Sequence, residues 1–389
     1  MRAETATSRI GAGLSTAPVA ANAAVEAGRQ AAAGVGSDVD LAFLFLSPDH
    51  LDDAGAAVHK LIEELGPRHL VGCVAQGVLG GSREVESGPA LAVWAGSLPG
   101  SSIEPFHAAG VEADDGIAIV GFPDPAGAEL VTLLVDPFTF PAAEFLSALN
   151  EEHRHVPVVG GIAVGGGEPQ AQALIVDGEI YYDGAVGALV SGVSVRTAVS
   201  QGCSPIGDDA VVTAAEGHVV LELAGRPAFE RLRAEILALP PERQRLAAQG
   251  ILAGIVIDEN RSEYRRGDYL MRGLIGADDE SGAIAIGEQV RVGQTLRFHV
   301  RDAASADEDL KESLAATVRG ANSAGALLFT CNGRGTNMFS EPNHDAATVS
   351  RALRSPAVAG MFCGGEIGPV GGAVFLHGFT ATMAIFEDA

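Results

Sequence analysis

The residue types that could do chemistry are concentrated near the C-terminal end of the chain. There a thiol, a guanidinium, two imidazoles and a carboxylate lie beside glycines and at the ends of apolar runs. Such groups bind small polar ligands, and they also serve in proton or acyl transfer. We therefore place the candidate ligand site in this half of the chain, with one further arginine upstream. The candidate residues are Arg272, Cys331, Asn332, Gly333, Arg334, His344, Gly365, Glu366 and His377.

Cys331 has two interpretations. It follows an apolar run and precedes Arg334, whose charge could lower the pKa of the thiol. Paired with His344 or His377, it could act as a nucleophile in acyl transfer or hydrolysis. A cysteine also serves as a small apolar side chain that closes a strand. We favour the second interpretation, so no catalytic residue is assigned and an enzyme is the weaker hypothesis.

Arg334 and Glu366 carry opposite charges next to glycines. The turn at 332–335 presents backbone N–H groups, and Arg334 can hold a carboxylate with two parallel hydrogen bonds. The glycines beside Glu366 predict an exposed or ligand-facing turn, where its carboxylate could bind an ammonium group. Together the two side chains would suit a zwitterion such as an amino acid. An ordinary turn and a structural pair of Glu366 with Arg334 or Arg272 are the alternatives.

The remaining candidates have structural explanations beside the functional ones. Asp345 suits the N-cap of a helix, which places His344 at the helix start. His377 lies between apolar residues and is more typical of a buried core histidine than of a ligand. Arg272 follows a short apolar strand and is expected to line a pocket between the two halves. The spacing of the cysteines and histidines is not that of a compact zinc motif, so we predict no metal.

Helices are expected where proline or serine opens an amphipathic stretch. The predicted helices cover 18–33, 48–65 and 141–153, and Ser305 with Glu308 reads as a capping box for a fourth. Strands are short and apolar, which is typical of strands buried on both faces. Turn signals at 177–178 and 216–217 predict hairpins, so the sheets should be mixed.

The strands and helices recur as three divergent copies of one unit. Each copy has an apolar strand, a helix, a second strand containing a glycine, and a third apolar strand. Each glycine is expected where its strand leaves the sheet. The copies begin at 42–46, 131–135 and 326–330, and their glycines are Gly72, Gly160 and Gly360.

These elements predict an α+β, or mixed α/β, fold. Two closely packed domains, with mixed sheets flanked by helices, are expected over residues 1–201 and 202–389, with residues 1–12 disordered.

Composition excludes several classes of protein. The formal net charge of −25 disfavours nucleic acid and anionic membranes as partners. Four cysteines are too few to staple 389 residues, so reduced thiols in a cytoplasm are the simplest interpretation. There is no signal-peptide pattern and no apolar run of membrane-spanning length. No phosphate loop or dinucleotide fingerprint stands out, and no cofactor is predicted.

Several motifs in combination resemble one known family. The CNGRG run, the His-Asp pair, the GGEIG and LHGFT runs and the segment 269–303 are similar to the C-terminal FIST domain. VGCVAQGV and VVGGIAVGGG resemble its N-terminal domain. The resemblance implies a cytoplasmic sensor of small ligands, with amino acids suggested. Some eukaryotic relatives carry an F-box, but no such helical segment is recognised here, so a bacterial stand-alone type is expected.

The predicted function is therefore binding of a small, amino-acid-like molecule in intracellular signal transduction. Output would pass through an unknown signalling partner or a change of oligomeric state. The alternatives are a cysteine-dependent enzyme and a protein-interaction scaffold without a pocket.

Overall fold

The computed structural model describes residues 7–113, 116–166, 172–320 and 322–388. The chain divides into two compact units. The first comprises Met1–Val199, Leu310–Leu376 and Thr380–Ala389, and the second comprises Ser200–Asp309 and His377–Phe379. The predicted sequence domains, 1–201 and 202–389, stay a prediction, because this division follows contacts rather than one cut in the chain.

Strands and helices alternate in the first part of the chain. In order they are β1 (Arg9–Ser15), α1 (Ala20–Val35), β2 (Leu41–Leu46), α2 (Ala54–Leu65), β3 (His69–Val74), β4 (Val78–Gly80), β5 (Arg83–Val85), β6 (Leu91–Ser97), β7 (Ser102–Ala113), β8 (Gly116–Val120), β9 (Leu130–Val135), α3 (Ala142–Glu152), β10 (Val158–Ile162), β11 (Leu174–Val176), β12 (Glu179–Tyr181), β13 (Ala185–Ser191) and β14 (Val195–Gln201).

The second unit follows, and the chain then returns to the first. The elements are β15 (Cys203–Glu216), β16 (Val219–Leu223), β17 (Arg226–Pro227), α4 (Ala228–Ala238), α5 (Pro241–Gln249), β18 (Ile251–Val256), β19 (Tyr269–Ala277), β20 (Ile284–Ile286), β21 (Thr295–Arg301), α6 (Ala303–Thr317), β22 (Ser323–Cys331), α7 (His344–Leu353), β23 (Val358–Cys363), β24 (Glu366–Val370), β25 (Ala373–His377) and β26 (Thr380–Glu387).

Both units are built on mixed or antiparallel sheets with flanking helices, which confirms the predicted fold class. The first unit has three sheets, in the orders β1-β6-β2-β3-β11-β12, β25-β24-β10-β9-β13-β7-β8 and β14-β26-β22-β23-β4-β5. The second unit has one, in the order β15-β21-β18-β19-β20-β16-β17.

The three sheets of the first unit repeat one arrangement, which confirms the predicted internal repeat. In each, two parallel strands are joined through a helix, and a third strand runs antiparallel beside the first of them. We call these the first, second and third repeats. Their strands are β2, β3 and β6 in the first repeat, β9, β10 and β13 in the second, and β22, β23 and β26 in the third.

Each repeat also contributes strands that pair with the sheet of another repeat. The hairpin of the first repeat, β4–β5, pairs with β23 of the third. The hairpin of the second, β11–β12, pairs with β3 of the first. The strand β24 of the third pairs with β10 of the second. The three repeats are therefore linked in a closed ring of exchanged hairpins.

The repeat glycines lie inside their strands, not where the strands leave the sheet, so that expectation is wrong. Gly72, Gly160 and Gly360 face the first strand of their own repeat. A Cβ on them would lie 2.3, 1.9 and 1.7 Å from a leucine carbonyl oxygen there. Glycine is required because the two backbones approach too closely for any side chain.

One apolar core joins all three sheets. It is formed by the inward side chains of every sheet, including Phe43, Trp94, Leu134, Phe329 and Phe386, all of them buried. The outward faces pack against helices: α1 and α2 on the first sheet, α3 on the second, and α6 and α7 on the third. The strands are buried on both faces, which explains their continuous apolar sequences.

Several element boundaries differ from the predictions. Residues 9–12, expected to be disordered, belong to β1 and pair with β6, whereas residues 1–6 lie outside the described part of the chain. Ser305 lies inside α6, so the capping box is wrong: Asp302 accepts the backbone N–H of Ala304 and the Ser305 hydroxyl. The hairpin turns at 177–178 and 216–217 are confirmed, with positive φ at Asp177, Gly178 and Gly217.

The second unit has its own core between one sheet face and the helices α4 and α5. None of the described helices, in either unit, is long and apolar enough to span a bilayer.

Candidate functional site

Arg334 and Asp345 form a fully buried ion pair in the third repeat. Arg334 follows β22 and is 0% exposed, and Asp345 is in the first turn of α7 and is 1% exposed. Arg334 Nε donates to Asp345 Oδ2 at 2.7 Å, and Nη2 donates to Oδ1 at 2.8 Å. The two parallel bonds predicted for Arg334 therefore go to a carboxylate of the protein.

Asp345 is held as a carboxylate by several donors. Thr330 Oγ1 donates to Oδ2 at 2.6 Å, and His344 Nδ1 lies 2.9 Å from Oδ1. Burial alone would raise the pKa of Asp345, but the charge of Arg334 and these hydrogen bonds hold it well below its usual range. Asp345 is thus not the predicted N-cap, a position that Asn343 takes with φ 66°.

Glu366 is the second buried carboxyl group of this region. It is 0% exposed at the start of β24, so it lies on a buried strand and not on the predicted exposed or ligand-facing turn, while its role toward a ligand stays a prediction. Oε2 accepts the backbone N–H of Thr380 at 3.0 Å and its hydroxyl at 2.9 Å. Burial raises the pKa of Glu366 to about 8, although Thr380, the Cys331 thiol and Arg334 each lower it. Near neutral pH this carboxyl group therefore holds its proton most of the time.

Five buried polar atoms of this region lack a hydrogen-bond partner among the described residues. They are Arg334 Nη1, Glu366 Oε1, Thr382 Oγ1, Asn332 Oδ1 and Glu84 Oε2. A hydrogen bond from the Cys331 side chain is among the influences that lower the pKa of Glu366, although no partner meets normal hydrogen-bond geometry at Oε1. An unmatched buried donor or acceptor costs about 1–3 kcal/mol. Such atoms are expected where a bound molecule or water completes the hydrogen bonding.

The other two repeats are apolar at the same positions. Strand pairing identifies equivalent positions in the three repeats. Thr330 is equivalent to Leu46 and Val135, because each lies two residues after the leucine that pairs with the repeat glycine. It relates Glu366 to Val78 and Leu174. It also relates Thr382 to Ala92 and Val186. All nine residues are 0% exposed. The fold therefore accepts apolar side chains at these positions, and only the third repeat has polar ones at all three.

Cys331 ends β22 and caps the turn that follows. Its Sγ accepts the backbone N–H of Gly333 at 3.4 Å. In the second repeat Asp136 holds the corresponding turn through the N–H of Phe138 at 3.4 Å. In the first repeat Ser47 follows the strand and accepts the N–H of Ala90. Cys331 therefore makes a structural contact in this turn, and its place in a ligand site stays a prediction.

His344 lies at the rim of the buried ion pair. Its ring stacks on Phe339 with centroids 3.5 Å apart, and its side chain is 15% exposed. Asn332 and Gly333 form the turn beside it, and the backbone N–H of Asn332 donates to the carbonyl of Cys363. Gly365, which is buried, accepts the N–H of Ile162 through its carbonyl oxygen.

Two glutamates at the same end of the third repeat were missed by sequence reasoning. Glu84 of β5 accepts the N–H of Ala346 at the start of α7, and burial raises its pKa to about 7. Glu86 accepts the N–H and hydroxyl of Thr336. Both reach the site through the exchanged hairpin of the first repeat, so no local motif around 331–377 could have indicated them.

The remaining two candidates belong to the second unit. Arg272, on β19, forms an ion pair with Glu288 through Nε at 2.9 Å and Nη2 at 2.8 Å. His377 ends β25 and is 3% exposed, in keeping with a buried histidine. The other seven candidates lie in the first unit. Within the described residues, no group of three or more His, Cys, Asp or Glu side chains could hold a metal ion.

Comparison with known families agrees with the motifs. The FIST N domain model matches residues 40–226, and the FIST C domain model matches residues 228–369. The chain belongs to the FIST family. FIST domains are associated with sensing in signal transduction and are thought to bind small ligands.

Two relatives of this FIST protein are similar over nearly their full length. An uncharacterized protein of Mycobacterium tuberculosis is 44% identical, covering 98% of this chain and 100% of the relative. An uncharacterized protein of Mycobacterium bovis is 42% identical, covering 98% of this chain and 99% of the relative.

Proposed function

We propose that this FIST protein senses a small molecule that binds in the third repeat, between Arg334 and Glu366. The observation that carries the proposal is the pair of unmatched buried atoms, Arg334 Nη1 and Glu366 Oε1. One is a donor on a cation, and the other is an oxygen of a carboxyl group. A ligand with an acceptor and a donor of its own would satisfy both.

The neighbouring repeats support this choice of site. Packing does not require a carboxyl group at position 366, because Val78 and Leu174 occupy the equivalent positions. Burying a carboxyl group with one oxygen unmatched lowers stability, so a function that needs the group is the simplest explanation for it.

The ligand we propose is an amino acid or another small carboxylate. Its carboxylate would accept from Arg334 Nη1, and an ammonium group would donate to Glu366 Oε1. Asp345 already accepts from Nε and Nη2 of Arg334, so the guanidinium offers this ligand the N–H groups of Nη1. The candidates in the second unit, Arg272 and His377, are not needed for this arrangement.

Titration of the purified protein against amino acids and small carboxylates, followed by thermal unfolding, tests the proposal. A ligand at 100 times its dissociation constant should stabilise the wild type by about 2.7 kcal/mol. Glu366→Leu, which introduces the residue that the second repeat has at this position, removes the acceptor and should lose most of this stabilisation. Glu64→Gln, a half-buried glutamate paired with Arg29 on another repeat, should keep it.

Two results would contradict the proposal. Equal stabilisation of wild type and Glu366→Leu would place the ligand elsewhere in the protein. No stabilisation by any compound would favour the scaffold alternative. Rapid alkylation of Cys331 together with turnover of an acyl substrate would instead support the cysteine-dependent enzyme.

A further inference from the structure

The two buried carboxyl groups of the third repeat receive hydrogen bonds from different kinds of donor. Asp345 receives two from the guanidinium of Arg334 and one from the hydroxyl of Thr330. The bonds of normal geometry that reach Glu366 from the described residues come from the backbone N–H and the hydroxyl of Thr380, which are neutral groups. A buried carboxylate needs a bonded counter-charge to offset its lost hydration. The geometry therefore keeps Asp345 ionised and favours a protonated Glu366.

The proton of Glu366 has a defined position. Oε2 accepts both bonds from Thr380, so in the neutral acid Oε2 is the carbonyl oxygen and Oε1 carries the O–H. Oε1 is also the oxygen without a hydrogen-bond partner among the described residues. Burial raises the pKa of Glu366 to about 8, in keeping with a proton held there near neutral pH. The unmatched oxygen of Glu366 is therefore a donor in the ligand-free protein.

The elements around β24 add few other groups that could exchange a proton. Their titratable and charged residues are Cys331, Arg334, Asp345, Cys363, His377 and Glu387. The charge of Arg334 lowers the pKa of Glu366, but this charge is already balanced by Asp345. Burial raises the pKa of Cys363 well above its usual range, so this thiol stays neutral. His377 ends β25, which pairs with β24, and it is the residue to compare with Glu366 in an experiment.

We propose that the ammonium group of the ligand displaces the proton of Glu366, so that binding releases this proton to the solvent. The inference rests on the proposed function, in which an ammonium group lies against Oε1. An ammonium N–H and a carboxyl O–H are both donors, so they cannot share one hydrogen bond. A positive charge this close favours the ionised carboxylate, which then accepts from the ammonium. The O–H bond breaks, its electron pair stays on Oε1, and water takes the proton.

This coupling makes the affinity for an amino acid depend on pH. Ligand-free Glu366 holds its proton below a pKa of about 8, whereas the ligand-bound side chain is ionised. Affinity should therefore rise with pH, by up to about tenfold per pH unit, and level off above pH 8. A carboxylate without an ammonium group would accept from the O–H instead of displacing it, so its affinity should not rise. The site thereby favours ligands that carry an ammonium group as pH increases.

Isothermal titration of the full-length protein at pH 7, in phosphate and again in Tris, counts the released protons, because the two buffers take up protons with different enthalpies. The probes are glycine, β-alanine and 4-aminobutyrate, which hold the two charges at increasing separations. Acetate, propionate and butyrate are the matched probes without the ammonium group. An amino-acid probe that binds should release about one proton, and a matched carboxylate should release none.

Two variants assign the released proton to its source. Glu366→Gln keeps an oxygen that can accept from the ammonium group but has no proton to lose. It should bind more weakly, with no proton release and no rise of affinity with pH. His377→Gln should release the proton as the wild type does. If Glu366→Gln binds too weakly to titrate, the wild-type affinity between pH 6 and pH 8 decides, and a constant affinity overturns the coupling.

Failure of the coupling and failure of the binding site give different results. Binding that is lost in Glu366→Leu but releases no proton in the wild type would overturn the coupling and leave the proposed site in place. Proton release that persists in Glu366→Gln would assign the proton to another group and would also overturn the coupling. Equal binding by wild type and Glu366→Leu would contradict the proposed site itself.

Discussion

The second and third repeats have the same strands, the same register and the same glycine contact, yet opposite interiors. In the second repeat Val135, Leu174 and Val186 fill the buried positions with apolar side chains. In the third repeat these positions hold two threonines and a glutamate, beside an ion pair that is itself buried. A shared backbone can therefore support an apolar core in one copy and a candidate binding site in another.

The difference separates what the fold needs from what function uses. All three copies have the repeat glycine because the neighbouring strand lies too close to leave room for a Cβ. The polar residues occur in one copy, where two of them leave buried atoms unmatched.

Removing Arg334 should have the largest effect. Arg334→Ala would leave Asp345 buried without its counter-charge, which costs about 3–5 kcal/mol of unfolding free energy. Urea unfolding measures the loss. Arg29→Ala, which breaks the exposed pair with Glu64, should cost less than about 1 kcal/mol. Similar losses of unfolding free energy in the two variants would show that the ion pair of the third repeat is accessible to water.

Changing a repeat glycine should be costly in every copy. Gly72→Ala, Gly160→Ala and Gly360→Ala each place a Cβ against a carbonyl oxygen and should cost about 3 kcal/mol. Gly273→Ala in β19, where a Cβ would meet nothing within 4 Å, should be close to neutral. Thermal unfolding compares the four variants. A tolerated change in one repeat alone would break the equivalence of the copies.

Glu366 should make stability depend on pH. Its pKa is raised to about 8 from an ordinary value of 4.5, so the folded state binds more protons than the unfolded state between these values. Stability from this group is complete below pH 4.5 and falls as pH rises toward 8, by up to about 1.4 kcal/mol per pH unit. Glu84, whose pKa is raised to about 7, adds to the fall over the lower part of this range.

Glu366→Gln should remove most of this dependence. Its stability relative to wild type should grow as pH rises from 5 to 8, because glutamine cannot ionise. Unfolding free energies measured at several pH values test the expectation. A constant difference between the two proteins across that range would mean that Glu366 is ionised throughout.

Exchanging one hydroxyl between the repeats should have the smallest effect. Thr382→Val removes a buried hydroxyl whose oxygen is unmatched, so it should be neutral or stabilise by about 1 kcal/mol. Val186→Thr introduces such a group into the apolar copy and should destabilise by about 1–3 kcal/mol. Calorimetry of both variants measures the changes. Destabilisation by Thr382→Val would indicate that the hydroxyl is bonded in solution.

The sequence predicted the mixed sheets, the two hairpin turns and the three copies, because these depend on local periodicity and turn residues. It placed Cys331, Arg334 and His344 in one neighbourhood for the same reason. It failed for Glu366, whose flanking glycines indicated an exposed turn, because burial there is imposed by a strand of another repeat. Glu84 was missed on the same ground, since 259 residues separate it from Asn343, whose Oδ1 accepts its N–H.

The exchanged hairpins also constrain how this chain can be made. The hairpin β4–β5 pairs with β23. Residues near position 80 therefore cannot join their sheet until residues near position 360 have been synthesised. The first sheet is complete once β12 has been made, but the second needs β24 and β25, and the third needs β22, β23 and β26. Folding then rests on contacts distant in sequence, which slows it and leaves apolar strands exposed to chaperones during synthesis. A nascent chain stalled before β23 should accordingly remain bound to chaperones and sensitive to protease.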